Sequence, residues 1–143
     1  METGKIINRI SNRLRRRSQM ARERTGITGA RGNILDYILV ESEKHSVYQK
    51  EIEKEFGLRP STATEVLKYL EEKELIQRIP DEEDARFKKI VFTEEAEKIR
   101  EVLRREIEQT EEILLRGISE EEREIFQKTA EKMLANLEEE EER

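Results

Sequence analysis

Two short stretches of this chain carry the residues that could do chemistry. In Arg59-Pro60-Ser61-Thr62-Ala63-Thr64-Glu65-Val66-Leu67-Lys68, hydroxyls, a carboxylate and cations alternate with small and apolar residues. Proline suits the first position of a helix, so the hydroxyls fall in its opening turns. There the free amides and the helix dipole favour a phosphate, and a threonine methyl can meet a thymine methyl. The second stretch, Asp84-Ala85-Arg86-Phe87-Lys88-Lys89, places three cations beside an acidic run, Asp81 to Asp84. An arginine at the tip of a hairpin is drawn to the negative potential of a narrow DNA minor groove.

Other chemistries lack their parts. The chain has no cysteine and one histidine, His45. That excludes thiol nucleophiles, disulfides and cysteine–zinc sites. It also argues against a metal site, and His45 reads as a solvent-exposed loop residue. No paired carboxylates or phosphate-binding loop occur at catalytic spacing, so an enzyme is the weakest of the function classes. No cofactor is expected.

The elements that position these residues follow from periodicity. Ile6, Ile7, Ile10 and Leu14 mark a first helix over about 5–22, with Arg13, Arg15, Arg16 and Arg17 in its middle. Thr28 is a candidate N-cap for a second helix bearing Ile34, Leu35, Ile38 and Leu39. Gly29 and Gly32 weaken its first turn or admit a close neighbour. Tyr48–Phe56 reads as a short helix stopped by Gly57. A fourth helix runs from Pro60 to about Lys73, with Ala63, Val66, Leu67 and Leu70 inward. That leaves Ser61, Thr62, Thr64, Glu65 and Lys68 outward. Two short helices joined by a glycine turn make a helix-turn-helix.

Leu75–Ile79 and Phe87–Phe92 read as strands around Pro80 and the acidic turn, a hairpin in the position of a wing. Thr93 then caps a long helix with the stripe Ala96, Ile99, Leu103, Ile107, Thr110 and Leu114. Gly117 ends it, and Ser119–Glu122 matches a capping box opening the last helix. Its stripe is Phe126, Ala130, Met133 and Leu137, and the Glu138–Glu142 tail is expected to fray. Met20 and Met133 read as packing residues, and Tyr37 and Tyr48 as core or loop anchors.

Apolar residues make up 34% of the chain and charged residues 43%, a ratio that suits amphipathic helices completed by a second copy. The net charge is −6, unevenly spread: residues 1–31 hold nine Lys/Arg against two Glu, residues 93–143 nine against eighteen Glu. A basic start and an acidic end can pair, within one chain or across two. DNA phosphate and an acidic effector are other readings of the arginines, and a solvated face is the plain reading of each run, the Glu-rich tail included. Lacking a membrane-length apolar run or a secretion signal, the chain is expected in the cytoplasm.

The order of elements resembles the MarR family of bacterial and archaeal transcription regulators. Arg59–Glu71 is similar to the family's recognition helix. Glu74-Leu75-Ile76-Gln77-Arg78 resembles the exit into the wing, with Glu74 where the family has glycine. Asp84-Ala85-Arg86 and Ile90–Ala96 resemble the wing motif and the strand-to-helix junction. The resemblance covers about residues 26–97, and the terminal helices match in placement alone.

It implies a mostly α fold with a small β-wing: a winged helix-turn-helix over 28–93, an N-terminal dimerisation helix over 1–27, and C-terminal dimerisation helices over 94–143. It implies a homodimeric regulator, a repressor, bound to a palindromic double-stranded operator and relieved by a small-molecule effector. The expected DNA-contacting residues are Arg59, Ser61, Thr62, Thr64, Glu65, Lys68, Asp84, Arg86 and Lys88, with Lys50 and Lys89 as further candidates. By the resemblance, Arg86 enters the minor groove and Asp84 holds the wing. Alternatives stay open at two places: Ser61 and Thr62 as mere helix caps, and Glu65 paired with Lys68 or Tyr69 instead of a cytosine. The rival function is a winged helix that docks protein, motivated by the acidic balance.

Overall fold

The computed structural model describes residues 1–27 and 29–143, and the cap expected at Thr28 lies outside them. The elements run α1 (Thr3–Glu23), α2 (Gly29–Ser42), α3 (Gln49–Phe56), α4 (Pro60–Glu72), β1 (Ile76–Pro80), β2 (Lys88–Phe92), α5 (Glu97–Leu114) and α6 (Glu120–Glu141). The expected elements are all present, mostly within one or two residues. Thr93 caps as expected, but a short 3-10 turn, Glu94–Ala96, precedes α5. No described helix is long and apolar enough to cross a membrane.

The chain divides into two compact units, residues 1–107 and 108–143. The first contains one core. Ile34, Leu35, Ile38 and Leu39 of α2, Ile52 of α3, Leu67 and Leu70 of α4, and Ile76 and Ile90 of the strands are almost fully buried in it. β1 and β2 pair antiparallel with Ile76 opposite Phe92 and Pro80 opposite Lys88. Ile90 also donates its amide to the Val47 carbonyl, tying the loop before α3 to the wing.

Gly32 is where the second of its two readings holds. A Cβ there would come within 2.7 Å of the Arg22 side chain and 2.9 Å of the Ile27 carbonyl. Arg22, read as one cation in a basic run, is instead buried, 7% exposed. It pairs with Asp36 and donates to Asn33 Oδ1 at 2.6 Å. Arg17 lies 3.6 Å from Glu106, so part of the basic start pairs with α5 within one chain, and Glu43 after α2 takes both Arg100 and Arg104 of α5.

Glu74 has φ +59, the left-handed region that costs a side chain on the order of 1–2 kcal/mol. This is the position where the family has glycine. The strain is met by anchoring on both sides: Thr93 donates to the Glu74 carbonyl, and the Leu75 amide donates to Leu70 at 3.0 Å.

In the second unit, Ser119 and Glu122 form the capping box of α6. The tail is helical to Glu141 in the structure, and Arg143 pairs with Glu139 and Glu140, setting a cation against the negative end of the helix dipole. Met20 is corrected, being 73% exposed in the single chain instead of packed.

Candidate nucleic-acid interface

The turn between α3 and α4 sets the angle of the candidate reading helix. Gly57 adopts φ +61, and the Leu58 amide donates to the Glu53 carbonyl at 2.9 Å, which closes the end of α3. Pro60 then opens α4. Ala63, Leu67 and Leu70 have no exposed surface, and this fixes the rotation of the helix. Ser61, Thr62, Thr64, Glu65 and Lys68 are consequently all exposed on its outer side, as is Arg59 at the cap position.

The exposed residues differ in what they have free. The helix has no side-chain cap, and neither Ser61 nor Thr62 makes a side-chain hydrogen bond among the described residues, so they do not serve as caps. Their hydroxyls face solvent beside the free amides of the helix start. Thr64 is spent inward. Its hydroxyl donates to the Pro60 carbonyl at 2.8 Å and accepts from Gln49 Nε2 at 3.0 Å, leaving its methyl as the group it can offer. Glu65 has no ion pair among the described residues, with Lys68 or otherwise. Tyr69, the other expected partner, instead lies under the guanidinium of Arg31, 3.8 Å from the ring centre.

The acidic wing tip is largely consumed by its own architecture. Asp81 accepts from the Tyr48 hydroxyl at 2.6 Å and from the amides of Glu83 and Asp84. Asp84 accepts from the Arg86 amide at 3.1 Å and, in a forked pair, from its guanidinium at 2.7 and 3.0 Å. The Phe87 ring meets Tyr48 edge-on at 6.4 Å. Arg86 thus stands out from the wing with its side chain 86% exposed and its free donors facing solvent, and Lys88 is exposed beside it. Lys89 is half-buried and 3.9 Å from Glu82. Lys50 lines a groove of about 680 Å³ between the start of α3 and the wing, together with Tyr48, Arg78, Arg86 and Phe87.

The Tyr48 hydroxyl holds the Asp81 carboxyl below the usual range, and the Arg86 guanidinium does the same for Asp84. A carboxylate lowered in the folded state adds order that is present above its ordinary value and lost as pH falls through the lowered one. The wing amides of residues 81–87 are therefore expected to keep their NMR shifts from neutral pH down to the ordinary aspartate value of 3.8, and to lose them only below it. Loss of wing order between about pH 5 and 7 would show that these carboxylates do not hold it.

Three contributors escaped the sequence. Gln49 reaches Pro60, Thr64 and Glu53, and so fastens α3 to the first turn of α4. Arg31 adds a cation next to α4 from the start of α2. Arg78 also pairs with Glu71 at 2.7 Å, which joins the end of α4 to the wing.

The family model that matches is described as "MarR family" and covers residues 25–86. Among solved structures, S. aureus MepR in its DNA-binding conformation is 28% identical, with a TM-score of 0.82 over 96% of this chain and 99% of that one. The S. aureus MepR–DNA complex is 27% identical, with a TM-score of 0.76 over 95% and 96%. The transcription regulator MarR of Oenococcus oeni PSU-1 is 25% identical, with a TM-score of 0.77 over 94% and 99%. No curated protein matches in sequence.

Proposed function

The winged helix-turn-helix of this chain belongs to the MarR family of transcription regulators, and from that premise we propose that the protein is a homodimeric, sequence-specific reader of double-stranded DNA that represses transcription. The observation that carries this reading is the outer face of α4. Ser61, Thr62 and Lys68 stand there exposed and without side-chain partners among the described residues, while Arg86 projects from a wing built around it. In the proposal Lys68, Arg59, Lys88 and the two hydroxyls meet phosphate, the Thr64 methyl meets a thymine, and Glu65 accepts from a cytosine amine. Arg86 enters the minor groove, with Asp84 holding its guanidinium in line. S. aureus MepR, solved on DNA, supports the same use of the fold here.

Residues 28–93 read DNA in this account, and residues 1–27 and 94–143 join the two copies. Ile6, Ile7 and Ile10 of α1 are exposed in the single chain, as are Leu114 of α5 and Phe126 and Leu137 of α6. Apolar faces of this kind are covered in a stable protein, and a second copy is the simplest cover. The solution mass at micromolar concentration is expected to be twice the 17.1 kDa of one chain. A monomeric mass would remove the dimer. Relief by a small molecule rests on the family resemblance alone.

Selection from random duplex DNA tests the reading as a whole. A palindromic consensus with half-sites about one helical turn apart is the expected product. Failure to enrich any sequence would favour the protein-docking alternative that the acidic balance suggests.

A further inference from the structure

A cluster between the end of α2 and the start of α3 brings together three ligand-type side chains. Glu41 lies in the last turn of α2, His45 in the following turn and Glu51 in the first turn of α3. Their ligand atoms all lie within 4.8 Å of one another. His45 Nε2 is 3.0 Å from Glu41 Oε2 and 3.5 Å from Glu51 Oε2. Two atoms bound to one tetrahedral zinc at its usual bond lengths are roughly 3.4 Å apart. The observed spacings bracket that value.

The surroundings orient the same atoms. His45 Nδ1 is 3.0 Å from the Ser46 carbonyl. A carbonyl only accepts, so Nδ1 must carry the hydrogen, which leaves Nε2 to face the two carboxylates. A bare nitrogen lone pair against two carboxylates is repulsive, so the position calls for positive charge, either a second proton on the imidazole or a metal ion. Tyr37, half-buried and packed edge-on against Phe56, donates its hydroxyl to Glu51 Oε2 at 2.5 Å. Second-shell bonds of these two kinds, carbonyl to histidine and hydroxyl to carboxylate, fix ligands in metal sites.

We propose that Glu41, His45 and Glu51 form a binding site for a first-row divalent transition-metal ion. One imidazole and two carboxylates suit zinc, manganese or iron(II), whereas calcium and magnesium prefer oxygen alone. With His45 half-exposed, solvent completes the coordination. The ion would tie the end of α2 to the start of α3, the helix whose Gln49 fastens α4. The site rests on its own geometry and stands whether or not the protein binds DNA. Without cysteine or a second histidine, the sequence argued against it. Glu51 joins from the next helix, and its approach depends on how α2 and α3 pack.

The test is zinc titration of the full chain, followed by calorimetry and by the imidazole NMR signals. The chain has a single histidine, so those signals report on this site and no other. One zinc per chain is expected, with the His45 signals shifting in step. His45→Ala and Glu51→Gln should each weaken binding tenfold or more, and Tyr37→Phe about tenfold through loss of ligand orientation. Zinc that binds without moving the His45 signals, or that binds His45→Ala as tightly as the parent, would overturn the proposal. So would an imidazole that bridges the two carboxylates in its protonated form and takes no zinc. Circular dichroism of each variant shows whether a loss of binding is a loss of fold.

Discussion

Asp36→Ala is expected to cost about 3–5 kcal/mol of folding stability, the largest single effect the chain should show. Arg22 is buried against Asp36 and Asn33, and Asp36 is the carboxylate it pairs with. Gly32 lets the arginine lie flat on α2, so removing the carboxylate strands a cation that cannot swing out to water without breaking that packing. The pair is not thereby strongly stabilising. Burial pushes the Asp36 carboxyl up even with a guanidinium against it, which means desolvation outweighs the attraction at that carboxyl. Replacing both partners, Arg22→Met with Asp36→Leu, should therefore recover most of the loss. Urea denaturation of the parent, the single and the double variants measures this directly. A single variant as stable as the parent would show that the charge is not confined.

Arg86→Ala is expected to weaken operator binding while leaving stability within about 0.5 kcal/mol, since the side chain is almost wholly in solvent. Loss of one specific groove contact costs about 1–3 kcal/mol, and in a dimer it is lost twice. That corresponds to about thirtyfold or more in Kd. Lys68→Ala serves as the contrast. As a point charge on phosphate it should weaken all duplexes alike and lower the salt slope by about one per half-site. Thr62→Ala should change sequence preference as well as affinity. Fluorescence anisotropy with operator and scrambled duplexes separates these outcomes. Equal affinity in all three variants would remove α4 and the wing from the mechanism.

The face that α4 presents was legible because Ala63, Val66, Leu67 and Leu70 admit one rotation of a helix. The wing was legible from Pro80 and the polar run between two β-rich stretches. Glu74 was readable as a departure from the family's glycine, but the left-handed backbone there became visible only in the structure. What stayed hidden are contacts between elements distant in sequence. Tyr48 and Asp81 lie 33 residues apart, and no periodicity links them. The acidic run therefore read only as a turn beside three cations, when two of its carboxylates are the frame that holds Arg86. Arg22 was unreadable for the same reason: a run of arginines reads as a solvated face until packing shows which one turns inward. Gln49 and Thr64 show a finer limit. The sequence could place Thr64 outward, but not that its hydroxyl is already engaged.

A salt-dependent titration decides whether α4 and the wing read duplex DNA. The full chain is titrated against the palindrome obtained by selection and against a scrambled duplex, at several salt concentrations. Log affinity should fall linearly with log salt for both, because phosphate contacts release counterions. The palindrome should bind about a thousandfold tighter or more. Duplex binding that is absent, or present but indifferent to both salt and sequence, would contradict the account.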